Sequence, residues 1–229
     1  MSQFCIMKKA AYLFLFSCLI LLQSCFEIIE QLFLKADGSG NFQLVVNLSK
    51  SKTRLNSIIK MKTINGHDVP STYEIKNKIS EIEKTVAKTP GITAVKTTVD
   101  FDNYIASLTC NFTKVAQLNA AVKNVYDKEN GKLMGVEKTY AYDATTGLFT
   151  RFNKFSLAED YKKMSNADKE IFATANYTTI YKFENNVAAV LNKEAGISPG
   201  KKAVMLKLNA LDIITGKKNV ENKINLTNQ

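Results

Sequence analysis

His67 is the only histidine of the chain and stands beside Asp68 in the stretch INGHDVP. A carboxylate next to an imidazole can orient a general base, provided a nucleophile and an oxyanion site lie within reach. An envelope hydrolase of this kind requires His67 in a cleft, with a carboxylate and a hydroxyl beside it. The alternative is a polar residue that helps a turn. Asp100, Asp102 and Asn103 bring oxygen ligands together as a Ca²⁺ site would. They lack the glycine and terminal glutamate of an EF-hand loop, and the same residue types make turns. With one histidine, and with Cys110 the one thiol of the mature part left unmodified under the reading below, a zinc site has too few donors. No metal or cofactor is expected. Phosphate loops of the GxxxxGKS/T type, GxGxxG, GxSxG and SxxK are all missing, and ITGKK at 214–218 has its Gly-Lys pair without the upstream glycine. Acids that meet only in space stay open from sequence, although Glu137 reads as surface in a Lys- and Tyr-rich hairpin.

Aromatic residues form a second candidate. Tyr140, Tyr142, Phe149, Phe152 and Phe155 crowd one hairpin, interleaved with Lys138, Arg151 and Lys154, and Tyr177, Tyr181 and Phe183 follow. Rings alternating with cations can line a groove for lipid or polysaccharide. Tyr140, Tyr142, Arg151, Phe152, Tyr177 and Tyr181 are therefore the candidate ligand or partner surface. The competing reading puts one ring set in the core and uses the other for cross-strand pairing.

The elements that position these residues must come from 229 residues, of which 45% are hydrophobic and 23% charged. That is the composition of a packed globular chain rather than a disordered one. The formal net charge is +10; Lys8 and Lys9 carry two of these charges, which leaves +8 on the rest. The lysines read first as a scattered, solvated surface and second as an attraction to anionic headgroups or acidic polymers. No Arg-rich arm, zinc finger or RNP-like stretch is present, so no nucleic-acid partner is expected.

Residues 1–24 divide into a basic start, MSQFCIMKK, an apolar run, AAYLFLFSCLILL, and a short polar end. The run is shorter than the roughly 20 residues a permanent transmembrane helix needs, so it reads as a secretory signal. Leu22-Gln23-Ser24-Cys25 resembles a bacterial lipobox, with an apolar residue at −3, a small one at −1 and cysteine at +1. The resemblance implies diacylglycerol on the Cys25 thiol, cleavage before it by signal peptidase II, and a further acyl chain on the new amino terminus. Two or three chains anchor stably where one is marginal. A signal anchor, or an ordinary secretory signal with a coincidental cysteine, is the alternative. Cys5 and Cys18 fall in the removed segment, so Cys110 has no partner for an internal disulfide. It alternates with Leu108 and Phe112 and reads as a buried thiol. Phe26 stands where an Asp would be associated with inner-membrane retention, so the expected address is the outer membrane, facing the periplasm.

From Phe26 onward, strand and helix periodicities take turns. FEIIEQLFL and NFQLVVNLS flank the turn KADGSG. SKTRLNSIIKMKTI reads as a helix ended by NGHDVP. Ser71 and Glu74 form a capping box before Ile75, Ile79, Ile82 and Val86. A second hairpin turns at Asp102-Asn103. Val115, Leu118, Val122 and Val125 mark a further helix, and a third hairpin turns at DATTG. Ser156 and Glu159 open a helix, Ser165 and Asp168 start another short helical stretch, and NYTTIYKF and KAVMLKLNAL are late strands. Residues 216–229 are polar enough to fray. The expected fold is one α+β domain over 25–229, an antiparallel sheet of successive hairpins with helices packed on one face.

The tail YTTIYKFENNVAAVLNKEAGISPGKKAVMLKLNALDIITGKK, together with the early hairpin KADGSGNFQLVV, is similar to LppM-like lipoprotein domains. That resemblance implies a membrane-tethered α+β domain that engages lipids or envelope partners, and it implies no catalytic residues. The functional expectation is a non-enzymatic binding or scaffolding module for an envelope protein or hydrophobic ligand. A lipid carrier, whose sheet and helices enclose an apolar cavity, is the alternative beside the hydrolase.

Overall fold

A computed structural model describes residues 26–64, 66–130, 138–153 and 158–227. The chain opens with β1 (Glu27–Leu34) and β2 (Gly40–Asn47), a short 3-10 turn (Ser49–Ser51), α1 (Lys52–Ile58), and the two-residue strands β3 (Thr63–Ile64) and β4 (His67–Asp68). It continues through α2 (Thr72–Ala87), β5 (Ile92–Asp100), β6 (Ile105–Phe112), α3 (Val115–Asn130), β7 (Tyr140–Asp143) and β8 (Leu148–Arg151). Two short helices follow, α4 (Ala158–Lys163) and α5 (Asn166–Ala173), then β9 (Asn176–Phe183), β10 (Val187–Val190), β11 (Gly196–Ile197), β12 (Ala203–Asn209), α6 (Ala210–Ile214) and β13 (Asn222–Leu226).

Local signals act where the sequence places them. Ser71 accepts from the Glu74 amide while the Glu74 carboxylate accepts from the Ser71 amide, a closed capping box at the start of α2. Asp37 accepts from the Ser39 amide in the first turn, and Gly38 takes φ +84° there. At Gly40 a Cβ would fall 1.9 Å from the Phe33 carbonyl oxygen, so a side chain has no room as β2 begins. Asp100 accepts from the backbone amides of Asp102 and Asn103 and from the Asn103 side chain, so its carboxylate is engaged in its own turn.

Strands pair in the order β11-β12-β9-β1-β2-β6-β5, with a second sheet β10-β13-β8-β7. The architecture is α+β, but the large sheet is mixed: β1 pairs antiparallel with β2 and parallel with β9, from Glu27↔Asn176 to Leu34↔Phe183. Alternation reports which face a residue takes and not which strand lies beside it, so successive hairpins do not disclose this long-range parallel pair.

The register puts Glu30, Leu32, Leu34, Phe42, Leu44, Leu108, Cys110, Tyr181 and Val204 on one face of the large sheet. The layer against that face is part helix and part sheet. Val86 of α2 and Val115, Leu118 and Ala121 of α3 join the same core as Phe42, Cys110 and Phe112. Phe149, Ile224 and Leu226 of the second sheet join it against Tyr181 and Phe183. Within the polar tail, Asn222–Leu226 is an interior strand of the second sheet, with Ile224 completely buried. Its apolar residues Ile224 and Leu226 alternate with Lys223 and Asn225, which is sufficient for a half-buried strand.

Candidate functional site

The structure brings four of the six candidate surface residues together, inside the molecule. Tyr140, Arg151 and Tyr181 are buried, and Tyr177 is half-buried with its hydroxyl turned inward. They gather around Glu30, which is 3% exposed on the inward face of β1. Arg151 donates to both carboxylate oxygens, Nε to Oε1 at 3.1 Å and Nη2 to Oε2 at 3.2 Å. The Tyr181 hydroxyl donates to Oε1 at 2.5 Å and the Tyr177 hydroxyl to Oε2. The Arg151 guanidinium also stacks 5.2 Å from the Tyr140 ring centroid and donates to the Phe152 carbonyl. Burial by itself would push the Glu30 carboxyl up. The facing guanidinium and the donated hydrogen bonds outweigh it and hold the group below its ordinary value. Burial and the Glu30 charge push both tyrosines up, so they stay protonated donors.

This cluster is therefore not the exposed ring surface expected for the third hairpin. Its rings come from β7 and β9, and Arg151 of β8 ties the second sheet to Glu30 of β1. Tyr142 lies on the flank, half-buried, donating to the Ala36 carbonyl at 3.3 Å. Phe152 is half-buried, with Lys138 Nζ 5.5 Å from its ring centroid. Sequence reasoning missed Glu30, although the signal was present: Glu30 follows Ile28 and precedes Leu32 and Leu34 on one face of β1, and a charge on an apolar face demands a buried partner.

The remaining expectations separate. His67 is exposed on β4, paired in register with Ile64. Cys110 is 2% exposed, and burial raises its thiol to about 11, which suits a packed thiol and not a nucleophile. No three His, Cys, Asp or Glu side chains come together as a metal cluster among the described residues. None of the described helices is long and apolar enough to cross a membrane. Leu22, Gln23, Ser24 and Cys25 lie outside the described residues, as do Glu137, Lys154, Phe155 and Ser156.

A concave apolar site is found elsewhere, between the large sheet and the two long helices. Phe42, Leu44, Leu108 and Cys110 form its floor, Ile82 and Val86 of α2 one wall, and Leu118, Ala121, Val122, Val125 and Tyr126 of α3 the other. Its volume is about 290 Å³. A second space of about 140 Å³ adjoins it through Leu44, Ile82 and Leu108 and extends to Val46, Ile79 and Ala106. The groove thus follows β2 and β6 from Cys110 toward Val46 and Ala106. Glu83 reaches from α2 to the Thr97 amide of β5 at 3.1 Å, and Glu81 holds Lys128 of α3 at 2.9 Å. Hydrogen bonds from Lys128 and Lys84 lower the Glu81 carboxyl to about 2. Polar bridges therefore span the helices on the solvent side while the channel beneath them is carbon-lined.

Which end of the groove is which follows from the register. Glu27, the first residue of β1, pairs with Asn47, and Asn47 with Ile105. Val46 and Ala106 are thus at the end of the sheet where the chain arrives from Cys25. Gly40, Phe112 and Ile92 mark the opposite end.

No protein-family profile matches the chain, and no curated protein matches it. Among solved structures it is similar to the folded domain of Mycobacterium tuberculosis LppM, determined by NMR, at a TM-score of 0.43 and 12% identity. The likeness spans 90% of this chain and 92% of that one. This is the group that the early hairpin and tail resemble, and similarity at this level carries over neither residue nor function.

Proposed function

We propose that this chain is a membrane-anchored envelope lipoprotein, tethered at Cys25, and a non-enzymatic binding module for a hydrophobic ligand. The ligand class is a hydrocarbon chain of an envelope lipid, received between α2, α3 and the large sheet. The observation that carries this reading is the groove itself, whose floor and walls are nearly all carbon and which runs toward the tether end of the sheet. Its volume approaches the roughly 300 Å³ at which ligand pockets begin, before the adjoining space is included. An outer-membrane address facing the periplasm belongs to the same proposal.

Lipids extracted with the membrane-purified protein and measured by mass spectrometry test the groove. Val122→Phe and Leu108→Phe place rings in it and should strip the bound lipid while leaving the thermal midpoint unchanged or higher. A filled variant that retains the lipid, or a wild type that carries none, would overturn the reading. For the tether, Cys25→Ser should abolish lipid labelling and release the protein from the membrane fraction. Retention without acylation would count against Cys25 as the anchor.

A further inference from the structure

The strand register collects basic side chains at the end of the sheet where the tether enters. Between Leu48 and Ser71 the sequence carries Lys50, Lys52, Arg54, Lys60 and Lys62 against a single acid, Asp68. All five basic residues are exposed. This segment leaves the sheet directly after Asn47, the partner of Glu27. It is fastened there: the Leu48 amide donates to the Tyr104 carbonyl at 2.9 Å, and the Tyr104 hydroxyl donates to Asn56 of α1 at 2.7 Å. Apolar side chains accompany the charges, with Met61 49% and Tyr73 71% exposed. Of the neighbouring acids, Glu27 holds Lys207, Glu74 closes the capping box and Asp100 caps its turn, while Asp102 is exposed, so the segment's five cations outnumber the acids left over at this end.

One residue, Phe26, lies between Cys25 and Glu27, so the two steps of chain span about 7 Å at full extension. An acylated Cys25 therefore holds this end of the sheet at the headgroup layer, and the 48–71 segment must meet that layer. Cations near an anionic leaflet are attracted within a Debye length of it, and apolar residues among them enter the interface. We propose that Lys50, Lys52, Arg54, Lys60 and Lys62, with Met61 and Tyr73, form a docking surface for anionic phospholipid headgroups, which seats the domain with its groove end toward the bilayer. The inference rests on the tether reading above, and charge complementarity together with tether length selects the occupant.

The test uses the membrane-extracted protein with an environment-sensitive fluorophore on Met61→Cys; Cys110 is buried and escapes labelling. The protein is reconstituted in vesicles of phosphatidylcholine alone or mixed with phosphatidylglycerol. The same fluorophore on Lys35→Cys, at the opposite end of the sheet, is the control. The Met61 site should shift to the blue only with phosphatidylglycerol, the shift should reverse in high salt, and the Lys35 site should not respond. Adding Lys60→Gln and Lys62→Gln should lower the docked-to-undocked ratio by about fivefold per lysine, with an unchanged circular dichroism spectrum. Identical Met61 spectra in both lipid mixtures, or an equal shift at Lys35, would overturn the surface. The intact mass of the same preparation reports acylation of Cys25 separately. A missing acyl chain refutes the tether, and the same labelling repeated with Cys25→Ser, which removes that thiol, then scores the docking surface by its phosphatidylglycerol response.

Discussion

The inner layer of the molecule is filled very differently at its two ends. Between the sheets, Tyr140, Phe149, Tyr181 and Ile224 are each at most 2% exposed, with Phe149 within 5.5 Å of both Tyr181 and Phe183, centroid to centroid. Between the helices and the large sheet, Val86 is the buried residue of α2, while Ile79 and Ile82 remain half-buried over the groove. The first region resembles the interior of an organic crystal, where one methylene more or less is felt. The second has apolar walls with space between them. The two regions share one sheet, in which the Glu30 cluster ties β1 to the partner sheet while β2 floors the groove.

The largest expected contrast comes from the buried ion pair. Arg151→Met should cost about 3–5 kcal/mol in denaturant unfolding, because it leaves the Glu30 charge without its cation in the interior. Glu30→Leu combined with Arg151→Met should recover most of that loss. A single variant as stable as wild type would mean that the pair does not clamp the sheets.

Overpacking gives the next contrast. Val204 is 1% exposed opposite Tyr181, and Val204→Phe should lose about 1–3 kcal/mol. The equal enlargement Val122→Phe, into the groove, should lose little or gain. Equal losses at both positions would erase the distinction between a filled and an unfilled region.

Acid provides the finest comparison. Glu30 is held below its ordinary value of 4.5 in the folded chain. The unfolded chain therefore binds its proton first as pH falls, so the contribution of Glu30 is complete above that value and is lost below it. Thermal midpoints from pH 6 to pH 3 should fall more steeply for wild type than for the Glu30→Leu, Arg151→Met pair. Parallel curves would assign acid sensitivity to surface carboxylates instead.

Much of the local structure is legible from neighbouring residues. The Ser71–Glu74 box, the turns at Asp37 and Asp100, and the helical repeat Ile75-Ile79-Ile82-Val86 each involve groups a few positions apart. The groove walls were legible as helix faces and not as a groove, because periodicity identifies an apolar stripe without saying how closely the opposite surface approaches. The aromatic hairpin left two readings open for a related reason: residue type shows that a ring can bind, and only packing shows what it already touches.

By itself the sequence determined the strand faces, the Ser71–Glu74 cap, the burial of Cys110 and the order of most elements, since these depend on contacts short in sequence or on a two- or 3.6-residue period. The tertiary structure alone decided that β9 lies parallel to β1 and that a polar tail supplies an interior strand. It also decided that Glu30 meets Arg151 across 121 positions. Those outcomes depend on which distant surfaces are complementary, and no window of neighbouring residues contains that information.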